Sequence, residues 1–109
     1  MKLIIAIIHD EDAPHLVKKL TQEGYRVTKL SSTGGFLRSG NTTILVGVEK
    51  EKVSQVIDII KEKCKSRKEM APAPTPIMGN AGIFVGHPVE VQVGGATIFV
   101  VDVEQFEKA

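Results

Sequence analysis

The run LIIAII, residues 3–8, decides the fold, because an unbroken apolar segment predicts a central strand that is covered on both faces or by a partner chain. The run is far too short for a membrane helix, and Asp10, Glu11 and Asp12 follow almost at once. It is also shorter than the apolar part of a signal peptide, and no small-residue cleavage site follows it. We therefore expect a cytoplasmic protein without membrane insertion.

Two amphipathic helices are predicted beside this strand. The first spans residues 12–23, where apolar side chains recur on one helix face: Ala13, Leu16, Val17 and Leu20. Its ends carry the usual signals, which are Asp10 or Asp12 at the N-cap, Pro14 in the first turn and Gly24 at the C-cap. The second spans residues 51–65, and its apolar face comprises Val53, Val56, Ile57, Ile60 and Cys64.

Further strands are predicted over residues 25–30 and 42–48, which are rich in β-branched side chains. Residues 66–88 hold all but one of the five prolines and predict a long loop. In Val89–Val93, valine alternates with polar residues, which predicts a strand. Gly94-Gly95 then predicts a two-residue turn into a strand over 96–103. A single strand that is bulged at the two glycines is the alternative to this hairpin.

The order β-α-β-β-α-β predicts one α+β domain over residues 1–109, with a ferredoxin-like arrangement and an extra C-terminal β-hairpin. In such a fold both helices cover the same face of an antiparallel sheet. The other face carries many apolar residues, and an uncovered apolar surface of that size predicts a partner. Self-association is the simplest way to cover it.

Composition and motifs argue against several classes of function. The net charge is +1, so there is no strong electrostatic case for binding a nucleic-acid polymer. Neither a Walker loop nor a G-x-S-x-G elbow is present, and the histidines lack metal-ligand spacing: His9, His15 and His87. We interpret His9 as a polar residue at a strand end and Cys64, the sole cysteine, as a core residue. The sequence thus predicts a protein that is not an enzyme.

The stretch KLSSTGGFLRSGNTTILVGV, residues 29–48, contains a loop at 32–40 with the groups that a nucleotide needs. Gly34-Gly35 can adopt positive φ and present backbone amides to an anion. Charge, hydroxyl, apolar and amide groups lie around it: Arg26, Thr28, Phe36, Leu37, Arg38 and Asn41. An amide that both donates and accepts matches an adenine edge. Taken alone, these features fit either a plain turn or a nucleotide site.

Three segments taken together identify a resemblance: MKLIIAIIHDEDA, TKLSSTGGFLRSGNTTILVGV and PVEVQVGGATIFVV. In this order they resemble the PII-like cyclic-di-AMP receptor family over essentially the whole chain. The resemblance implies a non-enzymatic homotrimer of ferredoxin-like subunits. It also implies that cyclic-di-AMP binds in clefts between neighbouring subunits, orders the loops 32–40 and 66–88, and signals to an unknown downstream protein.

The resemblance carries ligand-binding roles to positions of this sequence, namely Arg26, Thr28, Gly35, Phe36, Leu37, Asn41, Gly47 and Phe99. It implies that Phe36 lies against a base and that Asn41 hydrogen-bonds an adenine. Gly47 would leave room for the ligand, and Phe99 would add aromatic surface. No cofactor and no metal are implied.

Two other functions remain open at the level of sequence. A PII-type ATP/ADP-sensing regulatory protein ranks second, because the basic residues near the loop are few: Arg26, Lys29 and Arg38. A purely structural or metal-binding trimer ranks third, because the histidines are scattered and there is a single cysteine.

Overall fold

The structure, a computed structural model, describes residues 1–30, 40–71 and 89–109. Two α-helices are found in these ranges, α1 (Ala13–Gln22) and α2 (Val53–Lys63), and a short 3-10 turn precedes each of them at Asp10–Asp12 and Lys50–Lys52. The strands are β1 (Lys2–His9), β2 (Thr28–Leu30), β3 (Asn41–Val48), β4 (Arg67–Ala71), β5 (Val89–Val93) and β6 (Ala96–Asp102).

The main sheet has four antiparallel strands in the order β2-β3-β1-β6. The chain is therefore a small α+β protein whose strand order is compatible with the predicted ferredoxin-like fold. The central position of β1 is confirmed, because it pairs with β3 on one side and with β6 on the other. The element ends differ from the predicted ones by a few residues, most at β2, which begins at Thr28 instead of residue 25.

The core lies between one face of this sheet and the two helices. Alternate β1 residues, Ile4, Ala6 and Ile8, are buried there, and α1 and α2 contribute Leu16, Leu20, Val56 and Ile60. This alternation of β1 side chains follows from the period-two geometry of a strand. The sequence thus folds with both helices on the same side.

The opposite face of the sheet, which we call the open face, is apolar, and none of the described helices or strands covers it. On β1 it carries Leu3, Ile5 and Ile7, which are only half-buried. On β6 it carries Phe99, which is 51% exposed, and Val101, which is 42% exposed. An apolar surface of this kind marks an interaction site.

The predicted hairpin between Val89–Val93 and 96–103 is wrong. Strand β5 pairs with β4, and β6 pairs with β1, so the two segments belong to different sheets. The glycine pair adopts the expected positive φ, but it turns the chain from one sheet into the other. Alternation in a sequence predicts that a strand forms, but it does not identify the strand's partner. The loop predicted over 66–88 is also wrong at its start, where β4 forms.

Strands β4 and β5 form a two-stranded arm that Arg67 ties to the main body. The Arg67 guanidinium donates from Nη2 to Asp12 Oδ1 at 3.0 Å and from Nη1 to the Lys65 carbonyl oxygen at 3.0 Å. The Asp12 side chain is only 6% exposed, so its carboxylate depends on this partner. An isolated two-stranded sheet is marginal in water, and we infer that these contacts stabilise the base of the arm.

Cys64, directly after α2, should behave as an inert thiol. It is 1% exposed, and burial together with the nearby Asp12 carboxylate raises its pKa from 9.0 to about 11. We predict that the native protein resists a disulfide reagent at mildly alkaline pH, whereas the denatured chain reacts fully. Reaction of the native thiol at the rate of the denatured one would contradict this burial.

The raised pKa of Cys64 also makes the stability of the fold depend on pH. Between the ordinary pKa of 9.0 and the native value of about 11, the unfolded thiol is ionised while the native thiol keeps its proton. The native state then binds more protons, so the contribution of Cys64 to stability falls as pH rises through this interval.

Within the described ranges, neither helix is both long and apolar enough to cross a membrane.

Candidate functional site

The register of the main sheet places four of the predicted ligand residues on the open face. Thr28 pairs with Leu45, Leu45 with Ile5, and Ile5 with Phe99, so these side chains form one cross-strand row. Gly47 pairs with Leu3, and Asn41 pairs with His9, on the same face. Directly paired residues project to one side of a sheet. The uncovered face therefore carries both apolar surface and predicted ligand contacts.

These residues are nevertheless spread across the face. Strands β2 and β6 are the two edges of the main sheet, with β3 and β1 between them. Three strand spacings separate Thr28 from Phe99, which amounts to about 14 Å. Along β3, Asn41 and Gly47 lie about 20 Å apart. A single chain does not bring all four residues around one adenine.

Among the described residues, no contact or backbone angle requires a glycine at Gly47. Its φ is not positive, and a Cβ atom built there would meet nothing within 4 Å. The missing side chain therefore leaves free space on the open face, beside its cross-strand neighbour Leu3. A group that approaches from outside the chain could use this space.

The other predicted residues divide into two groups. Arg26 is exposed and lies two residues before β2, at the same edge of the sheet as Thr28. Gly35, Phe36 and Leu37 fall outside the described residues, as does the loop 32–40 except for Gly40. The end of that loop is fixed, because the Asp10 N–H donates to the Gly40 carbonyl oxygen at 2.8 Å.

A pocket of about 190 Å³ opens beside Asn41, and the sequence interpretation missed it. Its walls are Ile7, His9, Asn41, Gly94, Gly95, Ala96 and Thr97. It forms because β6 pairs with β1, which brings Gly94 and Gly95, which we call the glycine corner, against the end of β1. The only sequence signal was a polar residue at a strand end and a glycine pair, and neither identifies the pairing.

The pocket is held in shape by the glycine corner. The Gly94 N–H donates to Nδ1 of His9 at 3.2 Å, and the Gly95 N–H donates to the Cys64 carbonyl oxygen at 2.5 Å. A Cβ atom at Gly94 would overlap the Lys65 carbonyl oxygen and lie 2.6 Å from Nη1 of Arg67. The corner thus connects the pocket directly to the base of the β4–β5 arm.

Among the described residues, no group of three or more His, Cys, Asp or Glu side chains could hold a metal ion. The titratable cluster at Asp12 and Arg67 is instead an ion pair that anchors the arm.

Residues 1–109 match the model of a family described as "Cyclic-di-AMP receptor". The fold is similar to a crystal structure of a functionally unknown protein from Pediococcus pentosaceus ATCC 25745, with 45% sequence identity and a TM-score of 0.75. That similarity covers 99% of this chain and 96% of the other. Because the family match extends over residues 1–109, this chain belongs to the cyclic-di-AMP receptor family.

Proposed function

We propose that the protein is a non-enzymatic, cytoplasmic signalling receptor that binds cyclic-di-AMP between the subunits of a homotrimer. The family match over residues 1–109 is the observation that carries this proposal. The geometry of the open face supports the subunit interface as the place of binding, because predicted ligand residues lie at opposite edges of the sheet.

A site between subunits resolves the separation of about 14 Å between Thr28 and Phe99. If the β2 edge of one subunit faces the β6 edge of the next, one ligand can contact both residues. Such a head-to-tail contact uses different surfaces on each side, and repeating it closes a ring. Assembly would also bury the apolar residues of the open face, which favours it.

The chemistry of the predicted residues suits a cyclic dinucleotide. Backbone amides of the loop and the Arg26 guanidinium would hold the phosphates through charge-assisted hydrogen bonds. Phe36 and Phe99 would stack on the bases, and each such contact contributes about 1–3 kcal/mol. The ring-shaped ligand has few conformations to lose, which favours tight binding.

We further propose that the ligand signals by ordering the loop 32–40 and the connection between β4 and β5. Gly40, the described end of the first loop, lies next to the pocket residue Asn41, and the base of the arm that leads to the second connection lies next to Gly94. Ligand contacts there would change the surface that the trimer presents to an unknown downstream protein.

Asn41→Ala should weaken cyclic-di-AMP binding and reduce selectivity over cyclic-di-GMP. An amide matched to adenine contributes about 1–3 kcal/mol of discrimination, and guanine presents a carbonyl group where adenine has its amino group. Calorimetric titration with both ligands measures the two affinities.

Gln55→Ala is the matched control, because it removes an amide from α2, where Gln55 accepts a hydrogen bond from the Tyr25 hydroxyl. This control should bind both dinucleotides as the parent chain does. An equal loss of both dinucleotides in the Asn41 variant would count against adenine recognition by Asn41.

A further inference from the structure

The pocket beside Asn41 has the size and chemistry of a subsite for one base. At about 190 Å³ it is smaller than the pockets that enclose whole drug-sized ligands, so it accommodates part of a dinucleotide. Its walls combine the apolar side chain of Ile7 with the polar side chains of His9, Asn41 and Thr97. A planar heterocycle with hydrogen-bonding edges fits this combination.

The hydrogen bond from Gly94 fixes the protonation pattern of His9. Nδ1 accepts the Gly94 N–H at 3.2 Å, so in the neutral imidazole the proton lies on Nε2. Nε2 is therefore a hydrogen-bond donor on a ring whose orientation is held by backbone. His9 also lies directly opposite Asn41 in the β1–β3 pair, where Cβ atoms are about 4.5–5.5 Å apart.

We propose that His9 is a further specificity-determining residue, whose Nε2–H donates to a ring nitrogen of the adenine that Asn41 holds. This inference rests on the proposed function and adds a donor to its site. Asn41 spans the amino group and N7 of adenine, which is the pairing that an amide makes with this base. The N1 acceptor is then left for His9.

The same arrangement rejects guanine. Guanine carries a hydrogen on N1, so the His9 donor would face another donor. The carbonyl oxygen of guanine would face the Asn41 amide oxygen, which is also an acceptor. A buried donor without an acceptor is costly, and sites built on such hydrogen bonds discriminate strongly. The glycine corner preorganises the donor, since the Gly94 N–H holds Nδ1 of His9 and thereby orients the imidazole ring.

Two amide substitutions distinguish the roles of the two nitrogen atoms of the His9 imidazole. His9→Asn places an oxygen near the position of Nδ1, so it keeps an acceptor for the Gly94 N–H and loses the distant donor. His9→Gln places an amide nitrogen near the position of Nε2, so it keeps the donor and loses the acceptor. Calorimetry with cyclic-di-AMP and cyclic-di-GMP, together with a thermal melt, is performed on both variants of the full chain.

We expect His9→Asn to lose about tenfold in affinity for cyclic-di-AMP and to bind cyclic-di-GMP more tightly than the parent does, while His9→Gln keeps most of the affinity for cyclic-di-AMP. The reverse order, with His9→Asn binding as the parent chain does, would overturn the proposal and leave His9 as a support for the corner. If both variants melt early, the imidazole ¹⁵N spectrum of the parent chain decides. An Nε2 signal that does not move at saturating cyclic-di-AMP overturns the proposal.

Calorimetry of the parent chain distinguishes a failure of this inference from a failure of the proposed function on which it rests. If the parent chain gives binding heat with cyclic-di-AMP and the His9→Asn variant binds equally well, only the role of His9 is refuted. No heat from the parent with cyclic-di-AMP refutes the proposed function and, with it, the adenine contact.

Discussion

Gly94→Ala should lower the free energy of unfolding by about 2–5 kcal/mol, because backbone strain and overpacking both contribute to the loss. The φ of Gly94 is +79°, a conformation that side chains disfavour. The new Cβ would overlap the Lys65 carbonyl oxygen and crowd the Arg67 guanidinium. The overlap can be relieved only if the glycine corner moves, and this movement would also disturb the hydrogen bond from Gly94 to His9. Denaturant unfolding of the variant and the parent measures the difference.

Two other glycines provide matched controls. Gly95 also has positive φ, at +91°, but its nearest neighbour would lie 3.8 Å from a Cβ atom, so Gly95→Ala should show backbone strain alone. Gly47→Ala should leave the stability of the single chain nearly unchanged, because it introduces neither strain nor contact. Equal losses for Gly94→Ala and Gly95→Ala would show that the crowding against Lys65 and Arg67 is unimportant.

Mixing two variants that each bind weakly should restore cyclic-di-AMP binding at the parent affinity in part of the sites. Arg26→Glu damages the β2 edge by repelling phosphate, and Phe99→Ala damages the β6 edge, so each variant alone should bind about tenfold or more weakly. In randomly mixed trimers, about a quarter of the interfaces join an intact β2 edge to an intact β6 edge. Calorimetry of the co-expressed mixture should therefore recover about a quarter of the sites at the parent affinity.

The control for this experiment is a mixture of two differently tagged copies of one variant, which should recover nothing. Sedimentation confirms that the mixed particles keep the same size as the parent. If the mixed variants bind no better than either alone, the site lies within one chain, and the division between the two edges is wrong.

The main sheet and both helices could be predicted because their signals are local. The apolar run of residues 3–8 requires burial, and the helical repeat from Ala13 to Leu20 requires a covered face. The pairing of β5 could not be predicted in this way. The choice between β4 and β6 as its partner depends on contacts such as those of Arg67 with Asp12, which are distant in sequence.

The candidate site shows the same limit. Residue chemistry and the resemblance both point to Asn41, whereas only the resemblance points to Phe99, and the register shows that both share a face with Thr28 and Gly47. In the sequence, His9 is only a polar residue at a strand end. Its place in a pocket follows from the glycine corner, which long-range pairing of β6 brings to the end of β1.

Calorimetric titration of the purified full chain with cyclic-di-AMP tests the central claim most directly. We predict saturable heat with about one ligand per subunit, because each subunit contributes one β2 edge and one β6 edge to the ring. Binding of cyclic-di-GMP should be weaker, because guanine mispairs with a site matched to adenine. No heat with cyclic-di-AMP, or tighter binding of ATP than of cyclic-di-AMP, would contradict the account.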